Sequence, residues 1–172
     1  MATGNGFNVG EPLAYFLTWT TYGTWLPGDI RGWNRKGAFD GQTANDARHE
    51  SATAALKESP FILTDDDREL IAKSIQGHCS IRDWELHAQN VRSNHVHVVV
   101  SADGVDPKNV VSQLKAWGTR ELKTVHIYRT RFWTQGASCR WINRETDLQI
   151  AVEYTIDSQD RKIVEFGRKF GK

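Results

Sequence analysis

The alternation of apolar and polar residues along this 172-residue chain predicts several short strands separated by helices. The first strand is predicted at residues 15–21, where YFLTWTT combines aromatic and β-branched side chains. Residues 84–92 and 95–100 predict two further strands joined by a tight hairpin connection. Residues 132–142 predict one or two short strands near the end of the chain.

Three segments have apolar residues at the intervals of three and four that are typical of helices. The first has Thr64 as a candidate N-cap, acidic residues in its first turn and Gly77 near its expected end. The second has Pro107 in its first turn, where proline is favoured because its missing N–H would have no helical partner. The predicted helices are residues 64–77, 106–125 and 144–156.

The segment from residue 22 to residue 60 differs because it is rich in Gly, Asn and Asp and shows little periodicity at its start. We predict a long loop here, with a short helix near residues 46–56. A loop of this length inside a compact domain is often functional.

The predicted order of elements is strand, long loop, helix, two strands, helix, strand and helix. This order fits an α+β fold with antiparallel strand pairing, close to the split βαβ arrangement. The length fits a single domain over residues 1–172. Residues 1–12 are expected to form a flexible N-terminus and residues 160–172 a basic C-terminal tail.

The composition is that of a soluble globular protein, with 39% hydrophobic and 25% charged residues. No apolar run reaches the length of a membrane span and no signal peptide is recognisable, so we expect a cytoplasmic protein without a membrane partner. Cys79 and Cys139 are expected to be buried thiols, because no CxxC motif or nearby histidine pair indicates a zinc site or a disulfide framework.

The formal net charge of +1 conceals an asymmetry between the two parts of the chain. Residues 1–107 hold 9 Lys and Arg against 14 Asp and Glu, a net of −5, and residues 108–172 hold 13 against 7, a net of +6. The second part is compatible with a basic face for a polyanion, and equally with an ordinary solvated surface.

The segment SNHVHVVV, residues 93–100, carries the most specific chemistry. Side chains at i and i+2 of a strand share a face, so His95 and His97 lie side by side while the valines at 96, 98 and 100 face the core. Two adjacent imidazoles suit one divalent ion. They do not complete a coordination shell, however, and two solvated or hydrogen-bonded histidines explain the pattern as well.

The last predicted helix is where a partner for the histidine pair can be sought. It contains Tyr154 on an apolar stripe, and Gln159 follows shortly after. A tyrosine on such a stripe is more often a core residue than a catalytic one. The co-occurrence of these residues with the HxH strand is what makes a joint site worth considering.

Four stretches, taken together and in order, resemble the single-tyrosine HUH transposases of the insertion-sequence and REP-associated group, the IS200-like transposases. They are FLTWTTYGTWLPGDIRG at 16–32, NHVHVVV at 94–100, QLKAWGTREL at 113–122, and FWTQGASCRWI at 132–142 with EYTIDSQ at 153–159. The resemblance implies a ferredoxin-like antiparallel sheet with helices on one face. It also implies a long loop insertion after the first strand and a C-terminal helix that bears the tyrosine.

The same resemblance implies an enzyme that nicks and rejoins single-stranded DNA during transposition. His95 and His97 would hold Mg²⁺ or Mn²⁺, with Gln159 completing the metal site. Tyr154 would attack the phosphorus, form a 5′-phosphotyrosine link and release a 3′-hydroxyl. The expected partner is single-stranded, hairpin-forming DNA, a homodimer is compatible with the family, and no nucleotide cofactor is expected.

Two features depart from the family pattern. Some relatives have an acid three residues before the first histidine, where this chain has Arg92. Gln159 lies five residues after Tyr154, whereas a spacing of four would place both on one helical face. The third ligand therefore stays open, and the alternatives to Gln159 are Asp157, Ser158 and water.

Aromatic and basic side chains in the long loop, the second predicted helix and the last strand are candidates for base stacking and phosphate contact. These DNA-binding candidates are Tyr22, Trp25, Arg31, Trp33, Lys115, Arg120, Lys123 and Arg140. Taken singly, the loop residues are equally explained as packing anchors of a surface loop, and each basic residue outside the loop is more often a solvated charge.

Two other functions compete with a nicking and rejoining transposase. One is a catalytically silent DNA-binding regulator that keeps the fold, which Arg92 and the shifted glutamine would favour. The other is a metal-dependent phosphoesterase that uses activated water, in which Tyr154 is only structural.

Overall fold

The computed structural model describes residues 11–32 and 42–157. Within these ranges the chain forms four strands and four helices in the predicted order. The elements are β1 Ala14–Thr20, α1 Asp46–Ala54, α2 Asp65–Ile81, β2 Glu85–Val91, β3 His95–Ser101, α3 Pro107–Val125, β4 Ser138–Ile142 and α4 Glu145–Asp157.

The strands form one antiparallel sheet in the order β2-β3-β1-β4. β3 pairs with β2 on one side and with β1 on the other, and β1 also pairs with β4. Consequently β1 and β2 run in the same direction with β3 between them, which is the split βαβ arrangement of a ferredoxin-like sheet. The predicted α+β class is confirmed.

The helices lie on both sides of this sheet. α2 and α3 cover one face, where the main core includes the fully buried side chains of Leu17, Val96, Val98 and Val100. α4 covers the other face over a smaller apolar cluster that includes Phe16. Tyr154 lies in α4, so the last helix bears the tyrosine as expected.

The start of α2 follows the prediction, but its end does not. Thr64 caps the helix as predicted: its side chain accepts from the N–H of Asp67, whose carboxylate accepts in return from the N–H of Thr64. Gly77 does not end the helix, because the following turn buries Cys79 in the core. The chain leaves the helix only at Asp83, which has a left-handed φ of 57°.

Other expectations from the sequence have mixed outcomes. Cys79 is buried as predicted, whereas Cys139 is only half-buried. The predicted short strands at 132–142 are β4 and one isolated bridge between Thr21 and Trp133. No helix within the described ranges is long and apolar enough to cross a membrane.

Candidate active site

The alternation of β3 places two histidines on the face of the sheet that α4 covers. The imidazole ring centroids of His95 and His97 are 4.7 Å apart. The intervening Val96 points into the main core on the opposite face. The predicted separation of histidines from valines is therefore present in the fold.

A neighbouring oxygen fixes the orientation of each imidazole. His95 Nδ1 donates to Asn94 Oδ1 at 2.7 Å, which leaves the lone pair on Nε2. His97 Nδ1 lies 2.8 Å from Thr18 Oγ1, which comes from the same face of β1. When Nδ1–H donates to this hydroxyl, the lone pair of His97 is also on Nε2, the arrangement that outer oxygens impose on metal-binding histidines.

The electrostatic surroundings keep His97 neutral. Burial lowers the pKa of His97 from 6.5 to about 3, and the positive charges of His95 and Arg92 add to the effect. Only a neutral imidazole can donate a lone pair to a cation, so this ring is available as a ligand throughout the physiological pH range.

α4 brings Tyr154 against the same pair of rings. The Tyr154 ring meets His97 edge-on at a centroid distance of 5.8 Å and meets Phe16 edge-on at 5.9 Å. Phe16 in turn stacks on His97 at 5.5 Å. The Nδ2 group of Asn90 on β2 donates to the carbonyl oxygen of Thr155, which fixes the tyrosine-bearing turn of α4 to the sheet.

These side chains line one cavity of about 460 Å³. The described residues around it include polar, aromatic and basic groups but no carboxylate. They are Phe16, Thr18, Trp19, Thr20, Trp25, His95, His97, Thr134, Gln135, Gly136, Ala137, Ser138, Arg140 and Tyr154. A cavity with two imidazoles, a phenol and a guanidinium suits an anionic substrate.

Comparison with known families identifies the chain. Residues 52–158 match the family model described as transposase, IS200-like. The chain belongs to this family. It is therefore a transposase, of a class that binds and cleaves DNA. A comparison with curated protein sequences finds no match.

A solved transposase structure shares the fold of this IS200-like transposase. A REP-associated tyrosine transposase, solved bound to a REP hairpin, superimposes with a TM-score of 0.54 at 12% identity, over 90% of this chain and 70% of that one. A protein of Deinococcus radiodurans R1 assigned as a transposase gives a TM-score of 0.49 at 17% identity, over 92% of this chain and 98% of that one. At 12% identity, the similarity to the REP-associated tyrosine transposase shows a shared fold alone.

The transposase places two of the DNA-binding candidates in the cavity wall. Trp25 is partly exposed, and its indole N–H donates to the carbonyl oxygen of Gly32 at 2.7 Å. Arg140 projects from β4 into the same wall. A third candidate, Arg31, lies over the Trp25 ring at 4.9 Å and pairs with Asp29 at 2.6 Å.

The Asp29–Arg31 pair fixes the conformation of the loop that carries Trp25. Arg31 also donates to the carbonyl oxygen of Thr24 at 2.7 Å. The pKa of the Asp29 carboxyl falls from 3.8 to about 2, and the largest cause is the hydrogen bond that Arg31 donates to it. Arg31 thus already has partners within the loop, and its exposed side chain still faces solvent.

Of the four remaining described candidates, Tyr22, Lys115 and Arg120 have structural partners, whereas Lys123 is a surface residue. The hydroxyl of Tyr22 accepts from the N–H of Lys57 at 3.0 Å, and its ring packs against the main core. Lys115 is largely buried, which lowers its pKa to about 8. Arg120 lies over the Trp117 ring at 4.7 Å on the outside of α3. Lys123 is exposed in the last turn of that helix.

Two predicted site residues, Trp33 and Gln159, lie outside the described residues. Among the described residues, no group of three or more His, Cys, Asp or Glu is placed to hold a metal ion. The described side chains in the cavity that could hold a metal are the imidazoles of His95 and His97.

The sequence reasoning missed Thr18 and the wall formed by residues 134–138. Thr18 was open to prediction, because alternation in FLTWT puts it on the face of Phe16 and away from the core residue Leu17. The wall had no comparable signal in the sequence beyond Gly136, because it depends on a change in the pairing register between β1 and the chain before β4.

Proposed function

We propose that this transposase cleaves and rejoins single-stranded DNA through a 5′-phosphotyrosine intermediate on Tyr154. The observation that carries the proposal is the edge-on packing of Tyr154 against His97 within one cavity. A tyrosine that served only the core would not need two oriented imidazoles and an arginine around the same space.

In the proposed reaction the Tyr154 oxygen attacks the phosphorus of a phosphodiester. A bond forms between this oxygen and phosphorus, the bond from phosphorus to the 3′-oxygen breaks, and the phenolic proton is transferred to that 3′-oxygen. The phosphate stays linked to tyrosine, so the 3′-hydroxyl of a second strand can reverse the reaction and reseal DNA without a nucleotide cofactor.

His95 and His97 are the proposed holders of Mg²⁺ or Mn²⁺, and Gln159 is the proposed third ligand. The orientation of the two rings by Asn94 and Thr18 and the neutrality of His97 fit this role. Imidazole nitrogens suit Mn²⁺ better than Mg²⁺, which prefers oxygen ligands. A bound divalent ion would polarise the phosphate and stabilise the charge that develops on it.

The proposed DNA partner is a single strand that forms a hairpin. The REP-associated transposase was solved with a REP hairpin, and the guanidinium of Arg140 in the cavity wall here is compatible with a nucleic-acid backbone. Trp25 and Arg140 are proposed to contact the strand at the cavity, with Arg31, Trp33, Arg120 and Lys123 as further contacts. A homodimer is also compatible with the proposal.

The test is to incubate the protein with hairpin-forming single-stranded oligonucleotides and Mn²⁺ and then to look for a covalent protein–DNA adduct on a denaturing gel. Tyr154→Phe should abolish the adduct. Tyr128→Phe is the matched control, because Tyr128 is 93% exposed in the α3–β4 connection and should be dispensable. Cleavage without an adduct would favour the phosphoesterase, and binding without cleavage would favour the silent regulator.

A further inference from the structure

The wall of the cavity opposite the histidines is a bulge in the pairing of β1 with the chain before β4. Thr18 pairs with Ser138, whereas the N–H of Thr134 donates to the carbonyl oxygen of Thr20. Three residues, 135–137, therefore stand opposite the single residue Trp19. Such an excess removes the bulged residues from the regular ladder and leaves their backbone groups to other partners.

Lys115 supplies the partner for two carbonyl groups of this bulge. Its Nζ donates to the carbonyl oxygen of Thr134 at 2.9 Å and to that of Gly136 at 2.5 Å. The lysine reaches the bulge from α3, on the far side of the sheet from the cavity. A second space on that side is lined by Lys115 and by the same residues Gly136 and Ala137, so the bulge separates two openings.

The planarity of the peptide bond fixes where the matching N–H groups point. The carbonyl of Thr134 shares a peptide plane with the N–H of Gln135, and the carbonyl of Gly136 shares one with the N–H of Ala137. In a trans peptide the N–H is directed opposite to the C=O, and no cis peptide occurs in the described chain. Because both carbonyls accept from Lys115, both N–H groups are directed away from it, and Gln135 and Ala137 both line the cavity.

Neither N–H group is used within the described part of the protein. No backbone hydrogen bond from Gln135 or Ala137 is formed among the described residues. The buried indole N–H of Trp19, the residue opposite the bulge, has no acceptor there either. Gly136 between them has a φ of +83°, the left-handed conformation that lets successive N–H groups converge on an anion.

We propose that the N–H groups of Gln135 and Ala137, held by Lys115, form a binding site for a phosphate oxygen opposite His95 and His97. The site would hold the non-bridging oxygens of the scissile phosphodiester, so the inference rests on the proposed function. Lys115 is then a positioning residue that orients the donors from behind, and not the direct phosphate contact that its basic character indicated in the sequence.

The test is a titration of selectively ¹⁵N-labelled protein with inorganic phosphate, without added metal and against sodium chloride of matched ionic strength. The backbone signals of Gln135 and Ala137 should shift and saturate with phosphate but not with chloride. Lys115→Met should weaken this response about tenfold. Lys73→Met, the control, removes an exposed lysine of α2 that pairs with Glu69 away from the proposed DNA contacts, and it should leave the response unchanged.

A second variant keeps Lys115 and the fold intact. Replacing the peptide N–H of Ala137 with an ester oxygen deletes one donor and no side chain. This change should also weaken phosphate binding about tenfold, and it should slow adduct formation with DNA by about 100-fold. Wild-type affinity in the ester variant would overturn the inference.

The outcomes separate this inference from the proposed function. If the Tyr154 adduct forms but neither amide responds to phosphate, the inference fails and the function stands. If the amides respond and no adduct forms, the function fails while the phosphate site remains. An equal response in wild type and Lys115→Met would refute the positioning role of the lysine.

Discussion

The two faces of the sheet differ in chemistry, although the same strands supply both. The face under α2 and α3 buries aliphatic side chains such as Leu17 and Val98 at 0% exposure. The face under α4 buries Phe16 and His97 and stays open as a cavity at its Tyr154 end. One face therefore holds the fold together, and the other can carry polar groups because the first supplies most of the apolar burial.

The largest expected effect on stability comes from the aliphatic face. Leu17→Ala removes a fully buried side chain and should lower the free energy of unfolding by about 2–5 kcal/mol, measured by urea denaturation. Leu148→Ala on α4 is the counterpart, since Leu148 is only partly buried against the smaller cluster, and it should cost less. Equal losses would remove the distinction between the faces.

The α4 face should show the opposite behaviour, with a loss of activity at nearly constant stability. His95→Ala should reduce DNA cleavage by about 100-fold or more, because it removes a proposed metal ligand. The control is His87→Ala: His87 lies on β2, bonds to Ser101 at 2.8 Å and does not line the cavity. Full cleavage by the His95 variant would count against the metal site.

A smaller effect is expected from the hydroxyl that orients His97. Thr18→Val keeps the shape of the side chain but removes the oxygen 2.8 Å from Nδ1. Binding of Mn²⁺, measured by calorimetry, should weaken about 10-fold to 100-fold, as for other outer partners of metal-binding histidines. Thr20 lies two residues after Thr18 on β1 and provides the control. The Thr20→Val variant should bind Mn²⁺ as wild type does.

The smallest effect concerns the loop that carries Trp25. The folded state lowers the pKa of Asp29 from 3.8 to about 2, so its carboxylate stabilises the protein above pH 4 and loses this contribution as the pH falls toward 2. Asp29→Asn should lower the free energy of unfolding at pH 5 by less than about 1 kcal/mol, because Arg31 is exposed. The difference from wild type should shrink between pH 4 and pH 2.5, and a constant difference would contradict the assignment.

The sequence predicted those parts of the molecule that depend on local patterns. Alternation in HVHVVV separated the histidines from the valines, and Thr64 marked the start of α2. The prediction that α2 ends near Gly77 was wrong, because a helix can accommodate a glycine when its next turn is buried in the core. The bulge at 135–137 could not be predicted, because it arises from a two-residue mismatch between strands more than a hundred residues apart in the chain.

Lys115 illustrates the same limit for the site. In the sequence, a lysine on a basic helix indicates a phosphate contact. In the fold, Lys115 is largely buried and donates to two backbone carbonyl oxygens. Only tertiary packing distinguishes these two environments. The proximity of Tyr154 to His97 is likewise a product of packing, since the sequence could place each residue on its element but not bring the two elements together.

The most direct measurement of the central claim is the position of the covalent link to DNA. After reaction with a hairpin oligonucleotide, nuclease and trypsin, the tryptic peptide 145–161 contains a single tyrosine, Tyr154. Mass spectrometry should find a nucleotide joined through its 5′-phosphate to this peptide. A nucleotide on the peptide 124–129, which contains Tyr128, or DNA cleavage with no modified peptide, would contradict the account.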